Sequence, residues 1–125
     1  MNPGLTAAEA YKAARFENAP PLKLVQLMYE GALRFIDQAE THHAAGEVTR
    51  YAERCMRAHA IVTELRLALD SSQAPELAEN LHQLYLFAET ELCRAAAGES
   101  SAPLGAARGV LATLLDGWKK LEVSP

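Results

Sequence analysis

The stretch Pro20-Pro21-Leu22-Lys23-Leu24-Val25-Gln26-Leu27-Met28-Tyr29-Glu30-Gly31-Ala32-Leu33-Arg34-Phe35-Ile36 carries an apolar surface too wide for a helix with a single neighbour. Lys23, Gln26, Glu30, Arg34, Asp37 and Thr41 recur at steps of three and four, which confines the polar side of this helix to a narrow stripe. A surface helix devotes about a third of its circumference to a core. This one therefore sits centrally in a helical bundle, or is partly covered by a detachable segment or a partner.

Upstream, Thr6-Ala7-Ala8-Glu9 is a capping box that opens a short helix with Ala7, Ala10, Tyr11 and Ala14 on one side. That helix is too short to be stable alone. Asn18-Ala19-Pro20-Pro21 ends it, because a residue before proline avoids the α region and the second proline can begin the next helix. Downstream, the first long helix runs to Ala44 with Gly46 as its stop, and the tight turn returns the second helix antiparallel.

The second helix is expected over residues 48–69, with Val48, Tyr51, Ala52, Cys55, Met56, Val62, Leu65 and Leu69 inward and Arg50, Glu53, Arg54, Arg57 and Glu64 outward. Leu67 falls on the line of Glu53, Arg57, Ala60 and Glu64, so the end of this helix exposes apolar surface that folding alone does not require. Asp70-Ser71-Ser72-Gln73-Ala74-Pro75 is a turn, and a third helix over 76–96 places Leu77, Leu81, Leu84, Ala88, Leu92 and Ala95 in a core stripe. Glu79, Gln83, Thr90 and Arg94 face out, with Leu86 and Phe87 among them. After Gly98-Glu99-Ser100-Ser101, with Ser101 as the cap, a fourth helix turns Leu104, Ala107, Leu111, Leu114, Leu115, Trp118 and Leu121 inward. No strand pattern, low-complexity tract or repeat occurs. The reading is all-α: an antiparallel up-down-up-down four-helix bundle with a short extra N-terminal helix, one domain over 1–125 comprising a cap segment (1–19) and a core (20–121).

Composition narrows the function. A net charge of −4 with twelve Lys and Arg dispersed among sixteen acids leaves no nucleic-acid footprint. Half the residues are apolar, yet no run approaches the roughly eighteen uncharged residues of a membrane span and no secretory leader opens the chain, so a soluble cytoplasmic protein is expected. Cys55 and Cys93 both fall on apolar faces, and two cysteines make no disulfide framework.

Two Glu-x-x-His pairs, Glu40 with His43 and Glu79 with His82, raise the question of a di-metal carboxylate site in a bundle core. Glu79 is on a polar face and Glu40 near a helix end, so the pairs lie at opposite ends of the bundle and read as solvated surface. The His42-His43 doublet has no third ligand and suits a helix C-terminus. Serines lie in turns as caps, and no Gly-rich loop follows a strand. No enzyme, metal or cofactor is expected; what remains is apolar surface fit for an amphipathic helix.

The first stretch, together with Tyr11-Lys12, Ile61-Val62-Thr63-Glu64-Leu65-Arg66-Leu67-Ala68-Leu69-Asp70, Leu77-Ala78-Glu79-Asn80-Leu81-His82-Gln83-Leu84-Tyr85-Leu86-Phe87 and Leu114-Leu115-Asp116-Gly117-Trp118, resembles the flagellar secretion chaperone FliS family in order, spacing and total length. That resemblance implies an antiparallel helical bundle that binds the C-terminal helical segment of flagellin in the cytoplasm, prevents premature polymerisation and hands the cargo to the type III export gate. It also implies an N-terminal segment lying over part of the cargo groove, a role that falls here to Ala10, Tyr11 and Ala14, with Tyr11 as the switch residue. The chain departs from the family pattern at Arg15-Phe16. From the helical-wheel positions, Leu65, Leu67, Leu69, Leu86 and Phe87 complete the partner-binding set with Tyr11. The alternative is a homodimeric structural or regulatory bundle of flagellar assembly that uses the same surface without cargo.

Overall fold

Two glycines in left-handed backbone fix where helices stop. Gly46 at φ 73° and Gly98 at φ 83° each follow a helix. At the first, Gly46 N–H donates to His43 O (3.0 Å) and Glu47 N–H to His42 O (2.9 Å); at the second, Gly98 N–H donates to Ala95 O (3.0 Å) and Glu99 N–H to Arg94 O (3.3 Å). Both are Schellman closures, which satisfy terminal carbonyls at a conformation that costs any L side chain about 1–2 kcal/mol.

The computed structural model describes residues 21–72, 74–100 and 102–123. They form four helices, α1 (Pro21–Ala44), α2 (Val48–Leu67), α3 (Pro75–Ala96) and α4 (Ala102–Val123), with no strand among the described residues. The bounds follow the stop signals closely. α3 starts at Pro75 rather than one residue later, because proline suits the first helical position. α2 ends at Leu67, two residues before the expected 69, where Ala68 N–H bonds Glu64 O and Leu69 N–H closes on Arg66 O. The expected N-terminal helix and Tyr11 lie outside the described residues.

Each helix packs on the next in sequence and α4 packs on α1, while the two diagonal pairs barely meet. One core fills the space between them, built from Tyr29, Ala32 and Ile36 of α1, Cys55, Val62 and Leu65 of α2, Leu81, Tyr85 and Leu92 of α3, and Leu104 and Leu111 of α4. Full burial of a side chain of this size contributes about 1.5–3 kcal/mol. Polar pairs add direction to this apolar contact. Tyr29 Oη and Tyr85 Oη share a hydrogen bond of 2.5 Å through the core. On the α1–α4 seam Arg108 pairs with Asp37 (2.7 Å) and with Glu40, and Lys119 lies 4.0 Å from Glu30.

Several face assignments change. In α3 the buried stripe is Ala78, Leu81, Tyr85, Ala88, Leu92 and Ala95, so Leu77 and Leu84 are exposed where they were expected inside. The decisive contact is the Tyr29–Tyr85 hydroxyl pair, which rotates Tyr85 into the core in place of a leucine. Val48 and Met56 of α2 are likewise exposed, Val48 because it opens the helix beside the Gly46 turn. Gln26, expected on the polar stripe of α1, is buried. Cys93 is exposed and only Cys55 is buried; both are free thiols.

Candidate functional site

Leu67 is 66% exposed as the last residue of α2, and Phe87 is 44% exposed at mid-α3. Both keep large apolar side chains in water, where the sequence pattern put them. The other expected partner-binding positions fall differently. Leu65 is buried in the core, Leu69 and Leu86 are half-buried, and Tyr11 lies outside the described residues.

Of these residues, Leu69 and Phe87 each line a hollow. Leu69 lines one of about 180 Å³ with Leu77, Leu81, Tyr85 and Trp118, where the α2–α3 turn meets the end of α4. Phe87 lines the other, a shallow groove of about 440 Å³, with Leu84 of α3 and Gly109, Val110 and Leu114 of α4. The α4 wall escaped the sequence reading. Its signal was present in Gly109, where a Cβ would meet nothing within 4 Å, beside Val110. Leu77 and Leu84 escaped as well, because a leucine on either edge of a stripe reads as core.

Two residues past Phe87, on the side of α3 that meets α2, sits the most buried charge among the described residues. Glu89 of α3 is 7% exposed; its Oε1 accepts from Arg66 Nε at 2.6 Å and its Oε2 from Thr63 Oγ1 at 2.7 Å and from Arg66 Nη2 at 3.3 Å. Burial pushes this carboxyl up, but the Arg66 and Thr63 hydrogen bonds outweigh it and hold Glu89 below the usual carboxylate range. It is therefore ionised and paired at neutral pH.

A third hollow, about 300 Å³, lies at the other end among His43, Gly46, Val48, Tyr51, Gly98 and Ser100. His43 packs on Tyr51 with ring centroids 5.0 Å apart and the planes tilted by 45°, and burial pushes the Tyr51 hydroxyl up to about 12, so it stays protonated. Glu47 shares a 2.8 Å hydrogen bond with His42, which holds its carboxyl low and ties the α1–α2 turn.

Glu40 is engaged by Arg108, and Glu79 accepts from Gln83 Nε2 at 3.0 Å. Among the described residues no three His, Cys, Asp or Glu side chains are grouped to hold a metal ion, and no helix is long and apolar enough to cross a membrane. What the surface offers is open apolar area on α2, α3 and α4, suited to docking another apolar face.

Residues 4–125 match the family described as flagellar protein FliS. The chain belongs to the FliS family. Among curated FliS relatives, it is 30% identical over 105 residues to the flagellar secretion chaperone FliSB of Pseudomonas aeruginosa, spanning 84% of this chain and 83% of that one. It is 25% identical over 106 residues to the flagellar secretion chaperone FliS of Salmonella typhimurium, spanning 84% and 78% of the two chains. A third, the flagellar secretion chaperone FliS of Vibrio cholerae, is 30% identical over 91 residues. FliS proteins are chaperones of flagellum biogenesis, not enzymes.

Proposed function

We propose that this chain is a cytoplasmic export chaperone that binds the C-terminal helical segment of flagellin, prevents its premature polymerisation and delivers it to the flagellar type III export apparatus. The observation that carries the reading is the exposed apolar surface on α2 and α3, with Leu67 66% and Phe87 44% exposed. The names of the relatives support a secretion-chaperone role, and the exposed surface supports a helical client. A client segment disordered on its own and helical when bound needs a long apolar surface that imitates its later neighbours.

The architecture we infer is an antiparallel up-down-up-down bundle in which residues 20–121 form the core and 1–19 a cap. Arg108 near the start of α4 pairs with Glu40 near the end of α1, while Lys119 near the end of α4 approaches Glu30 near the start of α1, which supports opposed directions for these helices. In this architecture Leu67, Leu69, Leu86 and Phe87 meet the client, Leu65 supports them from the core, and Tyr11 is the switch on a displaceable N-terminal lid. Export-gate components receive the loaded chaperone.

The test is a titration of the purified chain with a peptide of the flagellin C-terminal segment. A saturable 1:1 complex, weakened at least tenfold by Phe87→Glu in a variant that still melts cooperatively, is the expected result. A homodimer occupying the same surface, with no uptake of peptide, would replace this reading by a cargo-free structural bundle.

A further inference from the structure

We infer that the Arg66–Thr63–Glu89 cluster is a positioning device: it fixes the register at which α2 passes α3 and so sets the spacing between Leu67 and the Leu86–Phe87 pair. The geometry is convergent. His59, Thr63 and Arg66 lie along one stripe of α2 at steps of four and three, and all address one carboxylate, Glu89 accepting from Thr63 at 2.7 Å and Arg66 at 2.6 Å with His59 Nε2 at 4.0 Å. Arg66 immediately precedes Leu67, and Glu89 follows Phe87 by two residues, so the cluster ties together the two backbones that carry the exposed side chains.

The side chains that α2 and α3 bring to the core here, Ala58, Val62 and Leu65 with Ala88 and Leu92, are apolar, so the charged cluster adds a directional contact between these two helices that apolar burial alone does not supply. A slip of one helical turn, about 5.4 Å, would leave the Glu89 carboxylate facing Asp70 in one direction, or His59 with no guanidinium in reach in the other. Both alternatives strand a buried charge. Buried ion pairs often contribute little net stability compared with apolar residues of similar volume, while they do penalise wrong pairings, so register is the property this cluster is suited to supply.

The functional consequence rests on the client reading above, but the register does not, and the experiment separates them. The variant Thr63→Val/Arg66→Met/Glu89→Leu replaces the cluster by apolar side chains of similar size. Spin labels are attached at Ala60→Cys on α2 and Thr90→Cys on α3, in a background with the exposed Cys93→Ser and the buried Cys55 retained. The parent is expected to give one narrow inter-label distance, and the apolar variant a broadened distribution or one displaced by several ångströms. A distribution identical to the parent's overturns the inference, whether or not any peptide binds.

In parallel, the affinity of the unlabelled proteins for the flagellin C-terminal peptide is expected to fall at least tenfold in the apolar variant, with a thermal midpoint equal to or above the parent's. A shifted distance with unchanged affinity overturns the positioning role and leaves the client reading standing. Failure of the parent to bind peptide sinks the client reading alone. Should the apolar variant fail to fold, Arg66→Lys keeps the charge but loses the two-pronged contact; a broadened distance and a three- to tenfold weaker complex are expected, and parental values for both would overturn the inference.

Discussion

Leu67→Glu is the substitution whose effect is most directly worked from the structure. In the free chain Leu67 is 66% exposed, so roughly two-thirds of its side chain is still available to be covered. Full burial of a leucine is worth about 1.5–3 kcal/mol, which leaves ~1–2 kcal/mol for a docked client to gain at this position. That is about five- to thirtyfold in affinity. Leu67→Ala should lose most of it, and Leu67→Glu more, because a carboxylate would have to be dehydrated under the client. An exposed helix-terminal position contributes little to the fold, so the free variant should keep its stability to within ~0.5 kcal/mol. Val48, 75% exposed at the start of α2 and outside the proposed surface, supplies the control: Val48→Glu should leave affinity unchanged. Calorimetric titration with the flagellin C-terminal peptide and thermal melts of each free protein read both quantities. Equal loss for Val48→Glu and Leu67→Glu, or no loss for Leu67→Glu, would refute the reasoning.

Three further outcomes are expected. Glu89→Gln should destabilise the fold by about 1–3 kcal/mol at neutral pH, since it leaves the Arg66 guanidinium with a weaker partner. Because the folded-state pKa of Glu89 is depressed, its contribution is present above the unfolded carboxyl value and is lost as pH falls through the folded one; denaturant melts should show the gap between parent and Glu89→Gln closing below about pH 4.5, and a gap that is flat with pH would contradict the pairing. Maleimide should modify the exposed Cys93 quickly, and Cys55, buried and with its thiol pushed up by that burial, only on unfolding; two equivalents of fast labelling would place Cys55 wrongly. Deleting residues 1–16 should tighten peptide binding, by about tenfold if the segment covers the surface nine-tenths of the time, and equal affinity with and without it would show that it is no lid.

Helix boundaries were legible because local residues set them. Pro21 and Pro75 start helices and Gly46 and Gly98 end them whatever the rest of the chain does. Helix faces were less legible, since they depend on partners far away in sequence. Leu77, Leu81 and Leu84 read as a stripe, but Tyr85, paired with Tyr29 56 residues away, and Ala78 take the buried places of Leu84 and Leu77 while Leu81 keeps its own. Glu89 with Arg66, 23 residues apart, was invisible for the same reason, and a pattern search that sorts charges outward would pass over both. Of the surface residues, Leu67 and Phe87 stood out because a large apolar side chain interrupts a polar line. The α4 wall of the Phe87 groove did not, because Leu114 reads as core and the residues around it, Ala106, Gly109, Val110 and Thr113, form no continuous apolar stripe.

The temperature dependence of the calorimetric titration with the flagellin C-terminal peptide tests the central claim most directly. Docking an apolar helix on the exposed apolar surface of α2, α3 and α4 predicts a 1:1 complex whose binding enthalpy becomes more favourable on warming, a clearly negative heat-capacity change. A heat-capacity change near zero, or a chain that stays dimeric and takes up no peptide, would contradict the account.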